Sequence, residues 1–136
     1  MLHCPAMSDS TSTDQLFSDL NFQDVDLPDE LLAAVNDLGF DRLTRVQAEV
    51  LPLSLQGRDV VAQAQTGSGK TAAYLLTLFS RMLRQERRSE IQNPRALIIA
   101  PTRELAVQIA SDAEKLSVHT PFSTHVVFGG IDYKKQ

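Results

Sequence analysis

An α/β domain, with a parallel sheet covered by helices on both faces, is what this sequence predicts, and three observations predict it. Short apolar, β-branched runs of strand length stand at Val60-Val61-Ala62, Ala96-Leu97-Ile98-Ile99-Ala100 and Thr124-His125-Val126-Val127-Phe128. Stretches with helical period lie between them, and strand alternating with helix at these lengths implies an α/β arrangement. The run at 96–100 is apolar on both faces, as a strand sandwiched between helices must be.

Taken in order, residues 1–20 are rich in Ser, Thr and Asp, hold few large apolar side chains, and read as a flexible leader. Pro28 suits a helix start, Asp29 and Glu30 favour the positive end of the helix dipole, and Leu31, Leu32, Val35 and Leu38 form one apolar stripe that Gly39 stops. Phe40-Asp41-Arg42-Leu43 is a connector. Thr44 is a good N-cap for a second helix from Arg45 to about Leu51, where Pro52 limits it. Gln56-Gly57-Arg58-Asp59 then turns the chain into the first strand of the α/β unit.

Ala64-Gln65-Thr66-Gly67-Ser68-Gly69-Lys70-Thr71 follows that strand and opens onto a helix whose Ala72, Leu75, Leu76, Phe79, Met82 and Leu83 share a face. A phosphate-binding loop requires this context. Gly67 and Gly69 let the backbone fold tightly and turn N–H groups toward anionic oxygens, and the helix aims its positive end at the same point. Lys70 would set a cation on the β- and γ-phosphates, and the Thr71 hydroxyl is a hard oxygen ligand for Mg²⁺. Ala64 stands where the general pattern has its first glycine.

The helix ends in Arg81, Arg84, Arg87 and Arg88, read as a solvated basic terminus in preference to a nucleic-acid patch. Residues 89–94 form a polar loop before the second strand. Pro101-Thr102 breaks that strand, and Leu105, Ala106, Ile109, Ala110, Ala113 and Leu116 mark the core face of another helix. Gly129-Gly130 closes the third strand. Read alone, Arg103 is a helix-start charge, the double glycine a turn, and Gln47 an exposed helix glutamine.

The 136 residues suit one domain, and 43% hydrophobic content suffices for a core. No apolar run has the length of a membrane span and no export signal is visible at the N-terminus. The single Cys4 cannot form an internal disulfide, and these features together point to the cytoplasm. Residues 1–49 carry 2 basic and 10 acidic side chains, net −8, whereas residues 50–136 carry 11 basic and 7 acidic, net +4. The basic character therefore accompanies the phosphate loop, although charge alone does not establish a nucleic-acid partner. His3, His119 and His125 have no metal-ligand spacing.

From Phe22 onward the chain resembles the first part of the first RecA-like domain of a DEAD-box RNA helicase. Four signatures carry the likeness: Phe22 with Gly39-Phe40 and Thr44-Arg45-Val46-Gln47; AQTGSGKT at 64–71; PTRELA at 101–106; and Gly129-Gly130. Ala64 is what that family has in place of the first glycine. The resemblance implies a RecA-like P-loop fold, present here in part, with a Q-motif helical region at 21–57 followed by a partial ATP-binding domain at 58–136. It also implies ATP and Mg²⁺ as ligands, with Phe22 stacking on the base, Arg42 near the adenine, Thr44 holding its segment against the phosphate loop, and Gln47 reading the adenine edge. A side-chain amide pairs with adenine N6–H₂ and N7 and rejects guanine. Pro101, Thr102, Arg103, Gly129 and Gly130 would touch the sugar-phosphate backbone of RNA, which makes binding tolerant of sequence and sensitive to salt. Leu43 stands where the family usually has Pro.

No catalytic residue is assigned within these residues. Glu104 is read as structural, and Asp29-Glu30 lacks the apolar strand that precedes an Mg²⁺-holding Asp-Glu pair. The expectation is a fragment with no meaningful ATPase or unwinding activity by itself, whose sheet lacks interior strands and which is marginal or aggregation-prone alone. Two other readings stand beside it: a different P-loop ATPase, such as a DNA helicase or small-molecule kinase, and a non-enzymatic interaction fragment.

Overall fold

The computed structural model describes residues 16–85 and 93–130. Its elements in order are strand β1 (Phe17–Asn21), a 3₁₀ turn (Phe22–Asp24), α1 (Asp29–Asp37), strand β2 (Arg42–Thr44), α2 (Arg45–Leu55), α3 (Lys70–Arg84) and α4 (Arg103–Leu116). The flexible leader expected over 1–20 is corrected at its C-terminal end, where Phe17 to Leu20 belong to β1; residues 1–15 lie outside the described residues. What recruits this polar stretch into a strand is backbone pairing with β2, which no apolar pattern announces.

α1 begins at Asp29 with Pro28 as its N-cap residue. It ends in a paired-bond cap, Phe40 N–H to Val35 O at 3.1 Å and Gly39 N–H to Asn36 O at 2.9 Å, with Gly39 at φ 70°. α2 starts where Thr44 predicts, its hydroxyl accepting from the Gln47 N–H, but it runs through Pro52 to Leu55 instead of stopping at Leu51. Proline removes one helical hydrogen bond. Tertiary packing offsets that loss: Leu51 is fully buried, and the Ser54 hydroxyl lies 2.7 Å from that of Thr77 on α3.

The core gathers where α1, α2 and α3 meet, around Leu31, Val35, Leu43, Leu51, Leu75 and Leu76, with Phe79, Ala113 and Leu116 at its margin. α3 buries Ala73, Leu75, Leu76, Phe79 and Ser80, while Ala72, Met82 and Leu83 pack at the edge of the cluster. At the basic end of α3, Arg84 donates to the Asp26 carbonyl at 2.7 Å and meets its carboxylate at 2.9 Å. Arg87 and Arg88 lie outside the described residues.

The three apolar runs are extended but form no ladder among the described residues, and the only sheet there is the antiparallel β1–β2 pair. Val61 (102% exposed), Leu97 (83%) and Ile99 (85%) consequently face solvent instead of a sheet neighbour. A helix closes its hydrogen bonds within itself, whereas a parallel strand needs another strand at 4.7–4.9 Å, and these segments do not pair with one another.

Candidate nucleotide and RNA site

The loop from Ala64 to Gly69 connects the first extended segment to α3. Gly67 and Gly69 take φ values of 80° and 86°, and Gly69 forms the left-handed N-cap of α3. This leaves the first N–H groups of α3 without helical partners, at the end where the dipole favours an anion. The Lys70 ammonium curls back over the loop and donates to the carbonyls of Ala64 and, at 2.7 Å, Gln65, with the Ser68 hydroxyl at 3.5 Å. Loop and cation therefore converge on one point.

Gln47 ties the preceding helix to this loop. Its Oε1 accepts from the Thr44 N–H at 2.9 Å, and its Nε2 donates to the Gly69 carbonyl at 3.1 Å. Together with the Thr44 hydroxyl accepting from the Gln47 N–H, these bonds form a capping box that also reaches the phosphate loop. A Cβ on Gly69 would lie 2.5 Å from Gln47 Nε2 and 2.9 Å from Thr44 Oγ1, so only glycine admits this approach. Thr44 thus stands against Gly69 of the loop.

Phe22, expected to stack on the base, is only 2% exposed; its ring is stacked 6.5 Å from that of Phe40, which is 42% exposed, and both residues line the cleft. Arg42 also lines the cleft, while its Nε and Nη2 donate to the Ser18 carbonyl at 3.1 and 2.9 Å and its guanidinium lies 5.9 Å from the Phe17 ring centre. Thr71 and Tyr74 share the α3 wall, facing Asp112 on α4. Burial pushes the Tyr74 phenol above its usual range, a hydrogen bond with Thr71 opposes the shift, and the negative charge of Asp112 adds to it. Tyr74 and Asp112 were not assigned from the sequence. The signal for Tyr74 was its spacing, three residues beyond Thr71 and hence on the same helix face.

Thr71 contributes a hydroxyl, and among the described residues no group of three or more His, Cys, Asp or Glu side chains converges to hold a metal. That donor set fits Mg²⁺ held chiefly by phosphate oxygens and water, the usual state of this ion beside a nucleotide.

The second cluster sits at the start of α4. The Thr102 hydroxyl accepts from the Leu105 N–H at 3.2 Å and caps the helix. Arg103 donates to the Gly129 carbonyl, and its guanidinium lies 5.3 Å from the Phe128 ring centre. The structure therefore brings PTRELA and the double glycine together, although Arg103 and Gly129 are 26 positions apart in sequence. Pro101, Thr102 and Arg103 are all exposed, and Gly130 has φ 84°. Glu104 lies in the first turn of α4, where the dipole accounts for it.

Comparison with known proteins agrees with this geometry. The family model described as DEAD/DEAH box helicase matches residues 44–136. An ATP-dependent RNA helicase RhlB of Pasteurella multocida is 50% identical over 119 residues, covering 88% of this chain and 28% of that protein. The Pseudomonas aeruginosa RhlB is 46% identical over 117 residues, covering 85% and 30%. Among solved structures, the RNA helicase Prp28 of Chaetomium thermophilum bound to ADP superposes with a TM-score of 0.75 at 40% identity, covering 85% of this chain and 28% of that one. Saccharomyces cerevisiae Dbp5 bound to RNA and ADP BeF3 gives 0.65 at 34% identity, covering 74% and 25%. These neighbours carry the RecA-like α/β fold, and this chain spans less than a third of the length of the curated relatives it matches. Their agreement in sequence and fold, over a loop and two clusters already placed by their own chemistry, shows that the chain belongs to the DEAD/DEAH box helicase family.

Proposed function

We propose that this chain supplies the ATP-binding loop and the first RNA-backbone contacts of an ATP-dependent RNA helicase. The observation that carries this reading is the convergence of the Ala64–Gly69 backbone, the Lys70 ammonium and the α3 N-terminus, bolted to Gln47 through the Gly69 carbonyl. Such a cradle suits the polyanionic tail of a nucleotide. Beyond the bonds already made, the Gln47 amide retains one N–H and one lone pair, the complement of an adenine edge. Phe40 offers the exposed aromatic face beside it, with Phe22 supporting that ring from the core. Thr71 would give Mg²⁺ one protein oxygen.

RNA would lie across the start of α4, where Thr102, Arg103 and the Gly129-Gly130 backbone are held together. Phosphate contacts of this kind carry no base code and weaken as salt rises. An acidic Mg²⁺ ligand at a strand end and a water-positioning residue are not found in this sequence, so the 136 residues by themselves bind ATP without appreciable hydrolysis. The matched relatives are named ATP-dependent RNA helicases, and coupling of hydrolysis to local duplex opening is proposed for this protein on that likeness. The cytoplasm is the compartment proposed.

Titration with Mg-ATP tests the reading. The unmodified chain binds, and Lys70→Ala weakens binding about 10- to 100-fold, the effect of losing a charge-assisted contact to phosphate. Equal affinity in the two proteins would overturn it.

A further inference from the structure

Strand β1 lies upstream of every motif assigned above and is bonded to the 42–45 segment at several points. The ladder pairs Phe17 with Thr44 and Asn21 with Arg42, so β1 carries two more residues between these partners than β2 does, and the register shifts there. A bulge releases backbone groups from the ladder. The Ser18 carbonyl, inside the bulge, accepts both the Nε and Nη2 donors of Arg42 at 3.1 and 2.9 Å. The Ser18 hydroxyl donates to the Leu43 carbonyl at 3.1 Å, and the Leu16 carbonyl accepts the Arg45 N–H at 3.0 Å. Asp19 adds an exposed carboxylate 3.7 Å from the Arg42 guanidinium.

From these contacts we infer that Leu16–Asn21 is a positioning strap, which fixes the Arg42–Thr44 segment and through it the adenine side of the nucleotide site. The path is continuous: Ser18 holds Arg42 and Leu43, Thr44 pairs with Phe17 and accepts the capping box, and Gln47 of that box bonds the Gly69 carbonyl. The strap explains how the segment keeps its shape with Leu43 in the place of proline. Proline would restrict the backbone through its ring; here the ladder and the Ser18 bonds supply the restriction from outside. This inference rests on the adenine-nucleotide reading above, and refines it by separating what orders the base from what grips the phosphates.

The test is to measure ATP and inorganic tripolyphosphate binding side by side in the 136-residue chain. Ser18→Pro removes the hydroxyl and N–H of residue 18 and distorts the bulge, while leaving the α1–α3 core untouched. The expected result is a 3- to 10-fold loss of ATP affinity, the loss of about one hydrogen bond's net contribution, with tripolyphosphate affinity and the thermal melt unchanged. Ser18→Thr, which keeps the hydroxyl and the N–H of residue 18, retains the ATP affinity of the unmodified chain. A purely structural role would lower both ligands together, and that outcome would overturn the strap. So would unchanged ATP affinity in Ser18→Pro. Absence of Lys70-dependent ATP binding in the unmodified chain would remove the nucleotide site itself, which is a different failure and is read from the unmodified chain alone.

Discussion

The helices and the extended segments of this molecule contain equally apolar side chains and treat them in opposite ways. Leu31, Leu51, Leu75 and Leu76 are all fully buried between helices that satisfy their own backbones. Leu97 and Ile99, one strand-length away from α4, stand in solvent because a parallel strand has nothing to bury against until another strand lies beside it. Hydrophobicity decides that a side chain seeks cover, but the distance in sequence to its cover decides whether a given stretch of chain can provide it. In this protein the Ala64–Gly69 loop is tied to the helical side, through Gln47 and α3, while the segment that delivers it has no ladder partner among the described residues.

The largest test of that contrast is a pair of truncations. Leu75→Ala opens a cavity among Leu31, Leu51 and Leu76 and lowers stability by about 2–5 kcal/mol, followed by urea titration of the helical circular dichroism. Leu97→Ala removes a side chain of the same size and changes stability by less than about 0.5 kcal/mol, as an exposed substitution should. Its effect is expected instead on solubility, since an uncovered apolar edge invites association. Equal losses from the two variants would mean that the extended segments are packed in solution.

How much of this was legible in the sequence follows the same division. Helix starts were readable because their signals are local: Thr44 caps α2 and Thr102 caps α4, as their side-chain chemistry dictates. The end of α2 was misplaced because Pro52 is a local stop signal that the packing of Leu51 and Ser54 against α3 overrides. The strand β1 was missed altogether, since Ser18 and Asp19 read as leader and only the Arg42 guanidinium and a backbone ladder give them partners. The glycine turn of the Ala64–Gly69 loop and the helix start at Lys70 were legible, since both signals are local. The PTRELA segment and the double glycine were each visible, but the Arg103–Gly129 bond that joins them was not, because nothing in either motif specifies the other's position.

A finer test separates two glycines in the loop. Gly67 and Gly69 both have positive φ, so alanine at either is strained by about 1–2 kcal/mol. Around Gly67 an added Cβ meets nothing within 4 Å, whereas at Gly69 it meets the Gln47 amide at 2.5 Å. That amide cannot swing away without breaking its bonds to Thr44 and Gly69. Gly69→Ala is therefore expected to exceed Gly67→Ala in cost by about 1 kcal/mol, the net contribution of a hydrogen bond. Urea midpoints give the comparison, and a Gln47→Ala background should narrow the difference, leaving the contact with the Thr44 hydroxyl at 2.9 Å.

The smallest effect lies at the border between the two regions, where Tyr74 of α3 faces the cleft shared with α4. Its phenol is raised above the ordinary value of 10.0, chiefly by burial, with Asp112 adding and the Thr71 hydrogen bond opposing. A raised folded value means that the unfolded chain loses its proton first. The associated stability is complete below pH 10 and is lost as pH climbs through the folded value. Urea midpoints of the unmodified chain should therefore fall more steeply above that pH than those of Tyr74→Phe, which has no proton to lose. Because Tyr74 is partly solvated, the divergence is modest. Asp112→Asn should narrow it without removing it, since burial is the larger cause. Parallel curves for the unmodified chain and Tyr74→Phe would show that α4 does not cover this face of α3 in solution, and would move the boundary of the packed region back to the α1–α3 core.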